Sequence, residues 1–261
     1  MNAAELACYL DAYLNIARVP DKSNNGLQVQ GPDEVTRVTF AVDACLASFK
    51  AALTQKAQLL IVHHGLFWGE PLQITGLHFE RVKTLIDGGC GLYASHVPLD
   101  AHPEVGNNVE LARLIGLTDV QPWGDYKGIK IGVIGNLPEP MPLAALNELL
   151  EAAIGKGNRV QGATDGHGGP GAPAGVAHAT RVAICSGFGV TLLDDAIAAG
   201  ADTLLTGETS HQWFHPVEET NLNVIFGGHY NTETVGLKAL ARHLEAKFGL
   251  ETRFIDLPTG L

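Results

Sequence analysis

The chain has 261 residues, enough to bury a sizeable core in one large domain or two smaller ones. Hydrophobic residues make up 46% and charged residues 17%, a balance that excludes a disordered chain. The formal net charge of -11 argues against sequence-independent nucleic-acid binding, which needs a basic face. A nucleotide substrate stays open, because bound divalent cations reverse the local potential.

Cys8, Cys45, Cys90 and Cys185 lie far apart and form no Cys-x-x-Cys pair, the pattern of reduced thiols rather than a disulfide frame or a thiolate metal site. Met1 to Glu5 lacks the basic start of a secretory signal, and no apolar run approaches the ~20 residues that span a bilayer. A cytoplasmic protein without membrane partners is expected.

Residues 3–17 place Leu6, Leu10, Tyr13 and Leu14 on one face of a helix. Ser23-Asn24-Asn25-Gly26 is a turn before a short strand, Leu27 to Val29. Arg37 to Val42 reads as a strand, Ala44 to Lys56 as a helix, and Gln58 to Val62 as a buried strand running into His63-His64-Gly65. Leu77 to Asp87 is a helix stopped by Gly88-Gly89. A strand from Gly91 to Ser95 leads into His96 and Asp100, and Asn107 to Ile115 is helical. Strands alternating with helices of this length predict an α/β protein with a largely parallel sheet.

Trp123-Gly124-Asp125 looks like a junction. Ile129 to Ile134 then reads as a strand and Leu143 to Ile154 as a helix. Residues 155–179 are rich in Gly, Ala and Pro, with no apolar period to bury, and predict a mobile loop or lid. Beyond it the pattern repeats. Arg181 to Ile184 echoes Arg37 to Phe40, Asp202 to Glu208 stands where Gln58 to Gly65 stood, and Val224 to Glu233 echoes Leu92 to Asp100. The differences 229 − 96 and 233 − 100 both equal 133, so each half offers a strand, a histidine, three residues and a carboxylate. A duplication is expected, with one lobe formed by residues 1–124 plus 229–261 and the other by 125–228.

Histidines at the carboxyl end of a strand stand where α/β proteins place their ligands. A His-His pair alone is more often a surface or core feature, and His-x-x-x-carboxylate alone is weaker still. Together, His63, His64, Asp100, His229 and Glu233 are five N/O ligands for two divalent metal ions, with open positions left for water. Such donors suit Zn, Mn, Fe and Ni alike. His96 reads either as a sixth ligand or as the group that orients Asp100. Glu208 and His96 are the candidate acid-base residues, although Gly207 to His211 reads equally as a capping turn. His102, His211 and His215 read as pocket-lining or hydrogen-bonding residues rather than ligands. Gly187-Phe188-Gly189 resembles a phosphate turn only weakly. Ser186 has no base partner in sequence.

Four boxes are specific in combination: Ser23-Asn24-Asn25-Gly26-Leu27-Gln28-Val29, His63-His64-Gly65-Leu66-Phe67-Trp68-Gly69, Ser95-His96-Val97-Pro98-Leu99-Asp100 and Gly228-His229-Tyr230-Asn231-Thr232-Glu233. Along nearly the whole chain they resemble the Nif-three-like family of YbgI-like dinuclear metal proteins, often labelled GTP cyclohydrolase 1 type 2. The family usually has Asp where Asn24 stands and proline where Gly65 stands; neither change removes a ligand. The resemblance implies two interlinked, pseudo-duplicated α/β lobes and a two-metal site mapping onto His63, His64, Asp100, His229 and Glu233. It also implies a homohexameric ring and a hydrolase that acts on a nucleotide or related heterocycle through metal-activated water. A metal-binding regulatory or scaffold assembly, or a metal-dependent phosphoesterase, are the alternatives.

Overall fold

The computed structural model describes residues 1–162, 178–220 and 222–260. Its contacts divide into two units, Met1–Gly106 with Gly236–Leu257, and Asn107–Val235 with Pro258–Leu261. The first division therefore falls at Gly106, ahead of the Trp123–Asp125 junction, because the strand containing Trp123 pairs within the second unit's sheet.

In the first unit, α1 (Ala3–Tyr13) is capped by the Asn2 side chain, which accepts from the Ala4 and Glu5 amides. It ends earlier than expected; Asn15, in the left-handed region at φ 58°, turns the chain into a short 3-10 turn at Ile16–Arg18. Then follow β1 (Gly26–Val29), β2 (Arg37–Asp43), α2 (Leu46–Thr54), β3 (Leu59–His64), α3 (Gly76–Gly88), β4 (Gly91–Ala94) and the single turn α4 (Val97–Asp100). Chain order continues in the second unit with α5 (Asn107–Leu114), β5 (Thr118–Tyr126), β6 (Ile129–Pro142), α6 (Leu143–Ile154), β7 (Arg159–Gln161), β8 (His178–Cys185), α7 (Leu193–Ala198), β9 (Thr203–Thr206), α8 (Phe214–Glu218), β10 (Asn223–Phe226) and the turn α9 (His229–Thr232). Helix α10 (Thr234–Phe248) runs into the first unit, where β11 (Glu251–Phe254) completes the first sheet.

The first sheet has the order β1-β4-β3-β2-β11, with β4, β3, β2 and β11 parallel and β1 antiparallel at the edge. The second has the order β5-β6-β8-β9-β10-β7. There β8, β9 and β10 are parallel, and β7 is antiparallel at the edge. The internal echo is thus a repeated topology: three parallel strands in sequence order, closed by an antiparallel edge strand beside the last. The copies diverge at the other edge, where parallel β11 stands in one and the antiparallel pair β5 and β6 in the other.

The apolar run of β3 is buried on both faces, as a parallel central strand requires. Leu60 and Val62 join Phe49, Leu85 and Leu92 in the core under α2 and α3, while Ile61 and His63 face the other side. The second sheet is covered twice, by α5 and α6 over Val182, Ile184 and Ile225, and by α7 and α8 over Ala183, Leu204 and Val224. Within the stretch expected as a loop, Arg159–Gln161 and His178–Ala179 are strand; the predicted lid at 163–177 lies outside the described residues. No described helix is long and apolar enough to cross a membrane.

Candidate metal centre

In the first unit every candidate ligand comes from the carboxyl ends of the parallel strands. His63 and His64 close β3, and His96 and Asp100 bracket the turn after β4. One ligand atom from each of His63, His64 and His96 lies within 4.8 Å of the others. Adjacent residues on a strand point to opposite faces, yet the His63 and His64 rings stand only 4.8 Å apart at 51°. The strand ends there, which frees His64 to swing toward its neighbour.

Each of these imidazoles is tied down through Nδ1. That of His63 lies 3.0 Å from the Ser95 carbonyl, that of His64 2.8 Å from Asp43 Oδ1, and that of His96 3.0 Å from Asp21 Oδ1. A carbonyl or ionised carboxylate only accepts, so Nδ1 carries the proton and Nε2 carries the lone pair in the neutral ring. This is the arrangement that orients histidines as metal ligands. His63 is fully buried, and its Nε2 faces Asp100 Oδ2 at 3.6 Å. Two acceptors facing each other just beyond hydrogen-bond length is a spacing that suits two ligands of one tetrahedral ion, which sit roughly 3.3 Å apart when metal bonds are 2.0–2.1 Å long. The donor chemistry therefore fits a cation.

Asp21 and Asp43 were not among the expected site residues. Asp43 could have been found from strand order, since it pairs directly with His64 across β2 and β3. Asp21 carries no such signal. Its carboxylate takes the His96 imidazole, the Val97 and Ser23 amides and the Asn25 side chain. Burial alone would raise its pKa, but the hydrogen bonds and charge of His96 and its other donors hold it well below the usual carboxylate range. Asn25 Oδ1 in turn accepts the His96 amide at 2.9 Å, which gives the turn box its purpose.

In the second unit, the tight turn α9 sets His229 between two carboxylates, Glu208 at 3.0 Å from Nδ1 and Glu233 at 3.1 Å from Nε2. Burial favours neutral His229, but Glu233 and then Glu208 outweigh it and push its pKa up to about 9. Glu208 thus serves as the partner that orients His229. Glu233 is 2% exposed and rests on a glycine seat: a Cβ on Gly187 would lie 2.5 Å from Glu233 Oε1. The Gly187-Phe188-Gly189 turn is committed to this seat. The Gly187 amide donates to Thr232 Oγ1, and its carbonyl accepts the Gly207 and Glu208 amides. His102 is structural, with Nε2 donating to the Tyr13 carbonyl at 2.9 Å and Nδ1 accepting the Glu104 and Val105 amides. His211 opens the 3-10 turn that follows Ser210, and His215 stacks edge-on with Phe214. The Ser186 amide donates to Asn108.

A family model, Duf34/NIF3 (NGG1p interacting factor 3), matches residues 1–259. The chain belongs to this family. A Deinococcus radiodurans relative named "GTP cyclohydrolase 1 type 2 homolog" is 48% identical over 257 residues, covering 98% of this chain and 94% of its own length. A Pyrococcus abyssi relative of the same name is 44% identical with both chains fully covered. Among solved structures, TTHA1606 from Thermus thermophilus superposes with a TM-score of 0.88 at 48% identity, and protein ybgI with 0.89 at 36%, each over both whole chains. The α/β fold with two mixed sheets, each built around parallel strands, and the family resemblance are both borne out, and the buried His/Asp cluster is one that can hold a metal ion.

Proposed function

We propose that this Duf34/NIF3 protein is a hydrolase that uses two first-row divalent ions, with His63, His64, Asp100, His229 and Glu233 as ligands, on a nucleotide or related heterocycle. The observation that carries this reading is the tethering of His63, His64 and His96 through Nδ1, which makes Nε2 the electron-pair donor of each neutral ring. The relatives' name supports a nucleotide-related substrate.

Such a pair of ions supplies a water whose pKa is lowered toward ~7. The protein's own part is to hold the donors. Ser95, Asp43 and Asp21 keep the three imidazoles from turning, and Glu208 does the same for His229. His96 joins these five as a sixth ligand in this reading. Glu208, with its side chain 37% exposed, is the carboxylate best placed to pass a proton to solvent. The same reading includes a homohexameric ring. It is supported by exposed apolar side chains crowded into one short segment, Leu72, Ile74, Leu77 and Phe79.

The test is turnover of GTP by metal-loaded protein, with formate and phosphate release measured separately. Metal-dependent formate release, abolished in the His63→Ala, Glu233→Ala double variant, is the expected result. Phosphate release alone would make it a phosphoesterase. Equal rates with and without the two ligands would remove catalysis from the site.

A further inference from the structure

Trp68 belongs to none of the ligand boxes' donor sets, yet its indole stands against them. Its ring centroid lies 4.9 Å from that of His96, at 71°, and 6.2 Å from that of His64. Its Nε1–H donates to the Gly65 carbonyl at 2.8 Å, and its backbone bridges to Ser23. These contacts fix both the ring's position and its tilt before any ligand arrives. The side chain is nevertheless half-buried, while Leu66, two residues earlier, is in the core. The chain then leaves through Gly69, at φ 54°, and Glu70, both exposed. An aromatic plane held at the edge of a metal centre, its polar edge already satisfied, offers the incoming molecule only a π face and apolar area.

We infer that Trp68 is the stacking wall for the substrate's heterocycle, a planar, nitrogen-rich ring such as a purine, which it holds beside the imidazoles of His64 and His96. This rests on the nucleotide reading above and deepens it, since it says which part of the substrate is recognised from this side. Stacking against an aromatic face tolerates different bases, so the wall selects for a flat heterocycle and leaves discrimination among purines to other groups. Because the indole is tied in place, little side-chain freedom is lost on binding.

The experiment uses metal-loaded full-length protein and equilibrium binding of GTP, guanosine, pterin and inorganic tripolyphosphate, read by calorimetry and by tryptophan fluorescence, with metal content measured for every variant. In the wild type, the three heterocycles quench the fluorescence and tripolyphosphate does not. Trp68→Ala is expected to weaken the heterocycles by about tenfold or more while metal content and tripolyphosphate binding stay unchanged. Trp68→Phe, which keeps a π face, restores binding. Unchanged heterocycle affinity in Trp68→Ala overturns the wall and leaves the nucleotide reading standing. Pterin binding that depends on Trp68, with no binding of GTP or guanosine, sinks the nucleotide reading and keeps the wall. Loss of metal in both variants, with tripolyphosphate and heterocycles weakened alike, overturns the inference by making Trp68 a packing support for His96. Wild-type protein that binds none of the heterocycles overturns both.

Discussion

At the scale of single residues, the site depends on groups that would touch no metal. Asp21 gathers His96, Val97, Ser23 and Asn25 around one carboxylate. Asp21→Asn keeps the shape but replaces two acceptor oxygens by one and adds donors that face the Val97 amide. The expected outcome is a metal affinity about 10–100-fold weaker, measured by chelator competition, with the fold retained by circular dichroism. Asp87→Asn, on the exposed α3 pair with Lys83, is the control that leaves affinity unchanged. Gly187→Ala tests the proposed ligand Glu233. It forces a side chain onto a left-handed residue at φ 61° and sets its Cβ against Glu233. A loss of about 1–3 kcal/mol in urea unfolding and a fall in bound metal are expected together. Retention of full metal content would mean that Glu233 has another seat.

At the scale of elements, the strands and their ends were legible and the turns were not. Continuous apolar runs such as Leu59–Val62 announce buried parallel strands, and the histidines that follow announce the functional edge. The 133-residue echo anticipated a repeated β-β-β topology, because each copy has the same apolar run before the same His-x-x-x-carboxylate turn. What stayed hidden depends on tertiary pairing. Asp43 becomes a partner of His64 only once β2 lies beside β3, and β7 is a three-residue edge strand with no periodicity to detect. Glu208 reads in the sequence as a candidate acid-base residue, and its place against His229 emerges only once α9 is formed.

Strand β4 supplies a pH test outside the metal centre. Cys90, just before it, is fully buried, and desolvation pushes its thiol from 9.0 up to about 12. The folded state therefore holds this proton after the unfolded chain has lost it, so stability is intact below pH 9 and falls as pH rises toward 12. The slope from this one group approaches about 1.4 kcal/mol per pH unit. In Cys90→Ala, urea midpoints are expected to fall less steeply over that range. In the folded wild type, exposed Cys8 should react with a thiol reagent at pH 8 while Cys90 reacts only after unfolding. Equal labelling rates would mean that β4 opens readily.

At the scale of the whole molecule, the proposed metal binding and the proposed ring are separable. Ligands that bind only the folded chain raise its stability by mass action, by about 4 kcal/mol at a thousandfold excess over the dissociation constant. For a chain this long that is roughly an 8–16 °C fall in Tm when a chelator removes the metal. The proposed ring would have a different source. Leu72, Ile74, Leu77 and Phe79 are each 44–58% exposed, an unusual concentration of apolar surface within eight residues. They lie on an arm that leads from Trp68 into the first turn of α3 and contributes no candidate ligand. Covering that arm by neighbouring copies would account for it without engaging the metal centre. Native mass spectrometry should then show six copies of 27.6 kDa, and Leu72→Glu with Leu77→Glu should release single chains that keep their metal. A wild-type protein that is monomeric at micromolar concentration would leave the apolar arm to some other partner and remove the ring from the reading. Single chains that have lost their metal would instead tie the metal centre to the interface, which these residues alone give no reason to expect.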